Sequence, residues 1–297
     1  MHPRVTLVCL GLALAACESS PSSPSDAAVV ADVADAPALA DAADARDDAP
    51  AEDVVTAHDA PAPEDVPRVI KPCTGAQPDG GITVRGRAYN FGPTGGASLR
   101  GAVVRVLEHP ERCVTLTDSN DFAFAGFTEG EPVSLFMDHP DYAPIQTGTH
   151  LVPATGIERI SFQAPTWGIY RLMATAARVA PLPDRCQIAS TVTAVGLSID
   201  SPTPSHGEAG ATVTIEPVPP DAVGPIYFNY YGPGSILPDR ALRETTRDGG
   251  VLWLNVPPGE YTLTAHKAGM RFTQARFRCR AGVLVNASPP MGLQALP

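Results

Sequence analysis

Four cysteines in the body of the chain could do covalent chemistry: Cys73, Cys113, Cys186 and Cys279. Four cysteines allow three disulfide pairings, and the presence of two in each half of the chain favours Cys73–Cys113 and Cys186–Cys279. A metal site is the rival interpretation, but no two of these cysteines have the Cys-x-x-Cys spacing typical of zinc ligands. We therefore predict two disulfides, which form in an oxidising compartment outside the cytosol.

The N-terminal residues have the pattern of an export signal. Residues 1–4 form a short basic head and residues 5–16 are apolar or small, a stretch shorter than the roughly 20 residues that a spanning helix needs. The sequence Leu14-Ala15-Ala16-Cys17 resembles the lipobox of bacterial lipoproteins. That resemblance implies cleavage before Cys17 and acylation of its thiol and amine, which would make a stable membrane anchor. The alternative is an ordinary secretory signal that leaves Cys17 as a free thiol. Glu18, in place of Asp, favours the outer membrane over the inner.

The aromatic segment Tyr227-Phe228-Asn229-Tyr230-Tyr231 is the strongest candidate for ligand contact. In a strand, side chains alternate between the two faces, so these aromatics cannot all point into one core. Tyr227 and Tyr231 would share a face, and an exposed aromatic face can stack on sugar rings or on a protein partner. The alternative is an edge strand whose outer tyrosines pack against the surrounding insertion.

The charge of the chain is concentrated near its N-terminus. The net charge is −11, yet residues 18–66 alone carry 13 acidic residues and one Arg, so residues 67–297 are neutral overall. Residues 18–66 also contain 15 Ala and 6 Pro and no aromatic residue, a composition that cannot bury enough apolar surface to fold. We predict a disordered acidic tether, and the negative charge argues against a nucleic-acid partner.

From residue 68 onwards the pattern is that of an all-β protein. Short stretches that alternate apolar and polar residues are separated by turn clusters rich in Gly, Pro, Asn and Asp. The predicted strands are residues 82–89, 102–107, 114–117, 122–127, 133–137 and 157–162, then 187–195, 211–215, 226–231, 251–256, 261–266, 272–279 and 283–287. Helical spacing between residues 166 and 178, with Thr166 as cap and Pro181 just beyond, predicts one short helix that could pack on either half.

The second half of the chain repeats the first. Thr117, Phe124, Gly130 and Glu131 match Thr246, Trp253, Gly259 and Glu260 at a constant shift of 129 residues. Upstream, Gly101-Ala102-x-Val104 matches Gly210-Ala211-x-Val213 at a shift of 109 residues. The difference predicts an insertion of about 20 residues in the second half, around residues 227–243.

Three motifs of the second half carry a family resemblance: Gly210-Ala211-Thr212-Val213, Asp248-Gly249-Gly250 after Thr246, and Pro257-Pro258-Gly259-Glu260-Tyr261. They are similar to the carboxypeptidase regulatory-like domain. The first half resembles it more loosely, because Asn120-Asp121 replaces the glycine turn and Thr128-Glu129-Gly130 replaces Pro-Pro-Gly. The resemblance implies a seven-stranded, transthyretin-like sandwich in each half and says little about activity.

The remaining polar residues do not form a catalytic pattern. The His-x-x-Glu pair of a zinc carboxypeptidase and the His-x-His of an intradiol dioxygenase are absent, as are a Gly-x-Ser-x-Gly elbow and a phosphate-binding glycine loop. Asp118, Asn120 and Asp121 supply three oxygen ligands, whereas calcium needs six to eight, and hairpin turns favour the same residues. We predict no enzymatic activity, no cofactor and no metal.

The sequence therefore predicts a monomeric, lipid-anchored protein of the cell envelope with two tandem sandwich domains. The predicted divisions are a signal peptide (1–16), a tether (17–67), a first sandwich (68–165), a connecting helix and linker (166–185) and a second sandwich (186–297). We expect non-catalytic binding or scaffolding, with an envelope polysaccharide or protein as partner. The alternatives are a structural spacer without a specific ligand and a metal-dependent enzyme of dioxygenase-like sandwich fold.

Overall fold

The computed structural model describes residues 70–75, 77–92, 99–199, 201, 206–231, 236–287 and 292–297. The predicted signal peptide, Cys17 with the neighbouring Glu18, and the acidic tether of residues 17–67 lie outside the described residues. The chain is all-β with one short helix, as the sequence pattern predicts.

The described part of the first half contains nine strands and is followed by the helix. The strands are β1 (Ile82–Phe91), β2 (Val103–Val106), β3 (Cys113–Thr115), β4 (Asp121–Phe127), β5 (Pro132–Val133), β6 (Leu135–Asp138), β7 (Ile145–Thr147), β8 (His150–Leu151) and β9 (Ile157–Pro165). The helix is α1 (Trp167–Ala177).

The described part of the second half contains ten strands, several of them short. They are β10 (Cys186–Thr191), β11 (Thr212–Glu216), β12 (Val223–Tyr230), β13 (Ile236–Asp239), β14 (Gly250–Val256), β15 (Gly259–His266), β16 (Arg271–Phe272), β17 (Ala275–Cys279), β18 (Leu284–Asn286) and β19 (Ala295–Leu296).

The first half is a sandwich around its own hydrophobic core. The sheet β4-β1-β9 lies over the strands β7-β6-β2-β3, which makes seven facing strands among the described residues, with the ribbon β5-β8 beside them. Inward side chains such as Val84, Val104, Phe124, Met137 and Phe162 are almost fully buried between the two layers. Their burial follows from the period-2 alternation of each strand.

The second half repeats this arrangement around a second core. The sheet β11-β15-β17 lies over the strands β13-β12-β14-β10-β18. Ile188, Val213, Trp253, Leu263 and Phe277 fill the space between the two layers. The residues inserted in this half supply the end of β12 and β13, which form an antiparallel hairpin at the sheet edge.

Strand registers confirm the internal repeat. Val84 of β1 lies opposite Phe124 of β4, and Ile188 of β10 lies opposite Trp253 of β14, with a register shift one pair away in both cases. Phe124 and Trp253 are separated by the 129 residues that the sequence landmarks predict. In each half the first strand also pairs in parallel with a strand near the end of that half, β1 with β9 and β10 with β18.

One nine-stranded sheet runs through both halves, in the order β13-β12-β14-β10-β18-β7-β6-β2-β3. The join is the parallel pair of β18 and β7, in which Leu284 lies opposite Ile145 and Val285 opposite Gln146. Leu284 belongs to the first core and its neighbour Val285 to the second. Because adjacent residues of a strand face opposite ways, the two cores lie on opposite faces of the shared sheet.

Helix α1 packs on the shared sheet, on the face opposite the second core. The Thr166 hydroxyl accepts a hydrogen bond from the Ile169 amide at 3.3 Å, and Arg178 ends the helix in the left-handed conformation. Ala177 is buried in a cluster with residues of β12 and β14, and Ala174 is also buried. The helix also contacts the first half, because Trp167 Nε1 donates a hydrogen bond to the Pro140 carbonyl at 3.1 Å.

Both predicted disulfides are present. The Cα atoms of Cys73 and Cys113 are 5.6 Å apart, and those of Cys186 and Cys279 are 5.8 Å apart. Each bond closes a loop within one half. In the part of the chain that the structure describes, no helix combines the length and hydrophobicity needed to cross a bilayer.

Candidate functional site

The predicted aromatic contact face is wrong in one of its two residues. Tyr227 is only 2% exposed, lies in the second core, and accepts a hydrogen bond from the Val213 amide at 3.1 Å. Burial raises the pKa of its hydroxyl. Phe228 is also buried, on the other side of β12 beneath α1. At Tyr227 and Phe228 both faces of β12 are therefore covered, so neither face meets solvent there as the alternation had predicted.

Tyr231 is the exposed member of the predicted pair. Its side chain is 62% accessible, and its hydroxyl accepts a hydrogen bond from Asn229 Nδ2 at 3.3 Å. It follows the last residue of β12 and shares no surface with Tyr227. A single exposed tyrosine beside a strand end is not an aromatic platform, so the site has to be sought elsewhere.

A partly enclosed cavity of about 130 Å³ lies between α1 and the shared sheet. It arises because α1 crosses the sheet over small residues of the strands, including Ala189 of β10 and Gly250 of β14, while its own Ala174 faces them. Most of its wall is apolar, and its larger apolar side chains include Phe91, Met173, Phe228, Leu252, Leu254 and Leu284. Two other depressions, beside β16 and on the outer side of β1, are open surface hollows.

Asp248 places a carboxyl group in the wall of this cavity. It belongs to the turn that leads into β14, where Gly249 has a φ of 78° and the Gly250 amide donates to Asp248 Oδ2 at 3.1 Å. A Cβ at Gly250 would lie 2.5 Å from this same oxygen and 2.7 Å from the Phe228 ring. Gly250 therefore leaves the space that the carboxyl group occupies. Burial raises the pKa of Asp248 to about 6, and the Gly250 hydrogen bond offsets only part of that effect.

Asn286 supplies a second polar atom to the cavity wall. It is 5% exposed and lies on β18, opposite Ala189 of β10 and Thr147 of β7. Its Oδ1 is buried and has no hydrogen-bond partner among the described residues. A buried acceptor without a partner costs on the order of 1–3 kcal/mol, which makes it a place where a bound molecule gains free energy.

Other polar groups of the wall are already engaged. Ser190 Oγ donates to the Ala287 carbonyl at 2.6 Å, and Gln187 Oε1 accepts from the backbone amide of Asn255 at 2.8 Å. His206 and Tyr170 complete the titratable groups of the cavity, and burial raises the pKa of the Tyr170 hydroxyl. Asp248 and Asn286 are thus two groups of the wall with spare acceptor capacity, Asn286 Oδ1 having no partner among the described residues and Asp248 accepting one bond from Gly250.

The turn residues considered for calcium serve the fold. Asp121 pairs with Arg87, with 2.6 Å from Nε to Oδ1, and this hydrogen bond lowers the pKa of Asp121. Asn120 Oδ1 accepts from the Leu99 amide at 2.9 Å, and Asp118 pairs with Arg100. Within the described ranges, no group of three or more His, Cys, Asp or Glu side chains is arranged to hold a metal ion.

A His–Glu pair in the first half also has a structural explanation. His109 Nε2 lies 2.8 Å from Glu131 Oε1, while Glu131 Oε2 accepts hydrogen bonds from the amide and hydroxyl of Thr128. These bonds hold Glu131 and lower its pKa, with the Thr128 amide as the main cause. The carboxylate closes the turn between β4 and β5.

The sequence contained the residues of the cavity but no signal of their proximity. Asp248-Gly249-Gly250 is recognisable as a tight turn, and Asn286 lies in a short apolar stretch. They share a wall only because β10, β14 and β18 are neighbours in the sheet and α1 covers them. A polar residue inside an apolar strand was the one available hint.

Comparison with known proteins identifies no family. No family model matches the chain, and no curated protein matches it. Among solved structures, the chain is similar to GBS52, the minor pilin of Streptococcus agalactiae, at 8% identity over 73% of this chain and 97% of that chain, with a TM-score of 0.23. It is also similar to the Bacillus anthracis TIE protein, at 13% identity over 69% of this chain and 33% of that chain, with a TM-score of 0.21.

A third solved structure is the major pilin of Streptococcus pyogenes, at 12% identity over 73% of this chain and 97% of that chain, with a TM-score of 0.18. At TM-scores this low the likeness carries no inference about function. The class of protein, an all-β chain of paired sandwiches, rests on the strands and cores described above.

Proposed function

We propose that this chain is a non-catalytic binding module of the cell envelope, and that it takes a small ligand in the cavity beneath α1. The observation that carries the proposal is a largely apolar cavity whose wall holds two polar side chains with spare acceptor capacity, Asp248 and Asn286. Pockets that bind small molecules combine an apolar wall with a few polar groups in this way.

The buried carboxyl group of Asp248 also supports this proposal. A carboxyl group with a strongly perturbed pKa in a cleft marks a candidate functional site, because its burial costs stability that the fold does not recover. Asp248 is such a group, and its raised pKa records that cost.

A structural spacer is the second candidate. It is favoured by the continuous sheet, which joins the two halves through the parallel pair of β18 and β7. The isolated bridge between Thr149 and Arg276 adds a further backbone contact across the same junction. Two sandwiches joined in this way would transmit orientation from one end to the other.

The proposal also includes the cellular location and the family of the protein. The lipobox-like sequence that ends at Cys17 supports lipid anchoring, and Glu18 supports the outer membrane. The motifs around Gly210, Asp248 and Pro257 support membership of the carboxypeptidase regulatory-like family.

Replacing Cys17 by Ser should release the protein from the membrane fraction and remove the acyl mass from its N-terminal peptide. If the N-terminal peptide of the unmodified chain carries no acyl mass, or if the Cys17→Ser variant stays on the membrane, the lipid anchor is contradicted.

The binding function is tested with the full chain, both disulfides oxidised, and benzyl alcohol as an uncharged probe. We expect saturation transfer from the protein to benzyl alcohol in NMR, and a rise in melting temperature that grows with probe concentration. Ala189→Ile adds three carbons to the cavity wall and should abolish both signals.

Ala123→Ile is the matched control, because it makes the same change on the exposed side of β4. It should leave probe binding intact. Absence of any signal, or equal signals in Ala189→Ile and the unmodified chain, would contradict ligand binding in this cavity and favour the spacer.

A further inference from the structure

We propose that the cavity beneath α1 selects small primary ammonium compounds with a compact apolar body, the ammonium group being bound by the Asp248 carboxylate. This inference rests on the proposed binding function and names the class of its ligand. It follows from the size of the cavity, from the acceptor character of its unpaired polar groups and from the negative charge of Asp248.

The volume of the cavity limits the apolar part of the ligand. An apolar protein cavity of about 150 Å³ holds one benzene ring, so about 130 Å³ holds a ring or a short branched chain and little more. The apolar wall around this space includes Met173, Phe228, Leu252 and Leu254. A flat or branched apolar body would fill the empty space and supply van der Waals contacts that these side chains lack.

The polar groups of the wall select the head group of the ligand. Asp248 Oδ2 accepts one hydrogen bond, from Gly250, and a carboxylate has room for about three more. Asn286 Oδ1 is likewise an acceptor without a partner among the described residues. Both atoms require donors, and a primary ammonium group carries three donors and no acceptor.

Charge makes an amine preferable to an alcohol. With a pKa of about 6, Asp248 is largely ionised at neutral pH although its surroundings are mostly apolar. An ammonium group beside it would form a charge-assisted hydrogen bond, which is about twice as strong as a neutral one. A ligand carboxylate would meet like charge at the same place, so anions of similar shape should be excluded.

The test compares three probes of one shape on the full chain, with both disulfides oxidised: benzylamine, benzyl alcohol and benzoate. By calorimetry at pH 7.5 we expect benzylamine to bind at least about tenfold more tightly than benzyl alcohol, and benzoate not to bind. Asp248→Asn keeps an oxygen for the Gly250 amide but removes the charge. It should bring the benzylamine affinity down to that of benzyl alcohol measured on the same variant.

Glu158→Gln is the matched control, because it removes one carboxylate from the outer surface of β9, where the side chain is 67% exposed. It should leave all three affinities unchanged. If benzyl alcohol binds, and Ala189→Ile abolishes that binding, but benzylamine gains nothing over it, the ammonium inference fails while the binding function stands. If none of the probes binds, both fail. Tighter binding of benzoate, or a benzylamine affinity that Asp248→Asn does not lower, overturns the inference.

The pH profile gives a second readout. The titratable groups that line the cavity are Asp248, His206 and Tyr170. Benzylamine stays protonated between pH 5 and 7.5, so its affinity should rise several-fold over this range as Asp248 ionises. Protonated His206 would also oppose an ammonium ligand, and the profile of Asp248→Asn isolates that component. Identical profiles for the two proteins would contradict a role for Asp248.

Discussion

Arg280 Nε donates a hydrogen bond of 2.8 Å to Gln146 Oε1 across the junction of the two halves. Gln146 Nε2 in turn donates to the Arg278 carbonyl at 2.6 Å, and Gln146 is only 1% exposed. The Arg280 guanidinium lies 4.6 Å from the centre of the Phe136 ring, and burial is the main cause that lowers its pKa. A buried amide thus links the β7 strand of one half to the end of β17 in the other.

Replacing Gln146 by Ala should destabilise the protein by about 2–3 kcal/mol. The change leaves the Arg280 Nε and the Arg278 carbonyl, which are half-buried, without their partner, and an unpaired group of this kind costs on the order of 1–3 kcal/mol when buried. Urea unfolding at pH 7.5 measures the effect. Gln274→Ala is the control, because Gln274 is exposed and donates only to the Thr264 hydroxyl. A Gln146→Ala variant as stable as this control would mean that the junction does not depend on the amide.

Asp248→Asn should make the protein more stable at alkaline pH. The pKa of Asp248 is raised from 3.8 to about 6, so the folded state holds this proton more tightly than the unfolded chain does. The cost of the ionised form is therefore absent below about pH 4, grows as the pH rises through 6, and is complete above it. We expect a gain of about 2–3 kcal/mol at pH 8 and no difference at pH 4.

Urea unfolding at the two pH values measures this gain, with Asp184→Asn as the control. The Asp184 side chain is 73% exposed, so its removal should change stability little at either pH. Equal stability of Asp248→Asn and the unmodified chain at pH 8 would show that the carboxyl group is not held in an unfavourable environment.

His150 should weaken the fold in acid. Burial lowers its pKa from 6.5 to about 4, so the unfolded chain takes up a proton near pH 6.5 that the folded state accepts only near pH 4. The corresponding stability is present above pH 6.5, falls as the pH drops, and is lost at about pH 4, a change of about 2–3 kcal/mol.

His150→Gln should flatten this part of the stability profile. The exposed His266, whose Nε2 lies 2.9 Å from the Thr214 hydroxyl, provides the control as His266→Gln. Unfolding free energies at half-unit intervals from pH 4 to 7 measure the slopes. The same slope in His150→Gln as in the unmodified chain would rule out His150 as its source. Because Asp248 acts in the opposite direction over much of this range, the comparison is best made in the Asp248→Asn background.

The repeat and the strands were predictable because they depend on local pattern. Phe124 and Trp253 occupy equivalent registers, and alternation along β1, β4, β11 and β15 agrees with the observed burial. The shared sheet was not predictable in the same way. β7 is three residues long, and all of them are buried, so it shows no alternation. Its partner β18 lies about 140 residues further along the chain, and pairing over that distance has no local signal.

The candidate site was missed for a related reason. The prediction for Tyr227 assumed a strand with one solvent-facing side, but β12 has the second core on one side and α1 on the other. The apolar run around Tyr227 is typical of a strand buried on both faces. The cavity itself depends on where α1 lies across the sheet, and the helical periodicity of residues 166–178 does not determine that placement.

Gly86→Ala should strongly destabilise the first half, whereas Gly168→Ala should not. A Cβ at Gly86 would lie 1.9 Å from the Ile160 carbonyl oxygen and 2.5 Å from the Phe122 ring. The oxygen belongs to the backbone of the paired strand β9, and it cannot move without disturbing the pairing of β1 with β9. We expect a loss of at least about 3 kcal/mol.

At Gly168, in the first turn of α1, the nearest atom to an added Cβ is the Thr166 hydroxyl oxygen at 3.8 Å, an ordinary contact. Alanine there should be neutral or stabilise the protein by up to about 1 kcal/mol, because glycine is a poor helix former. Urea unfolding of the two variants measures both effects with the same chemical change. Equal losses at the two positions would contradict the close packing of β1 against β9, since that packing is what distinguishes Gly86 from Gly168.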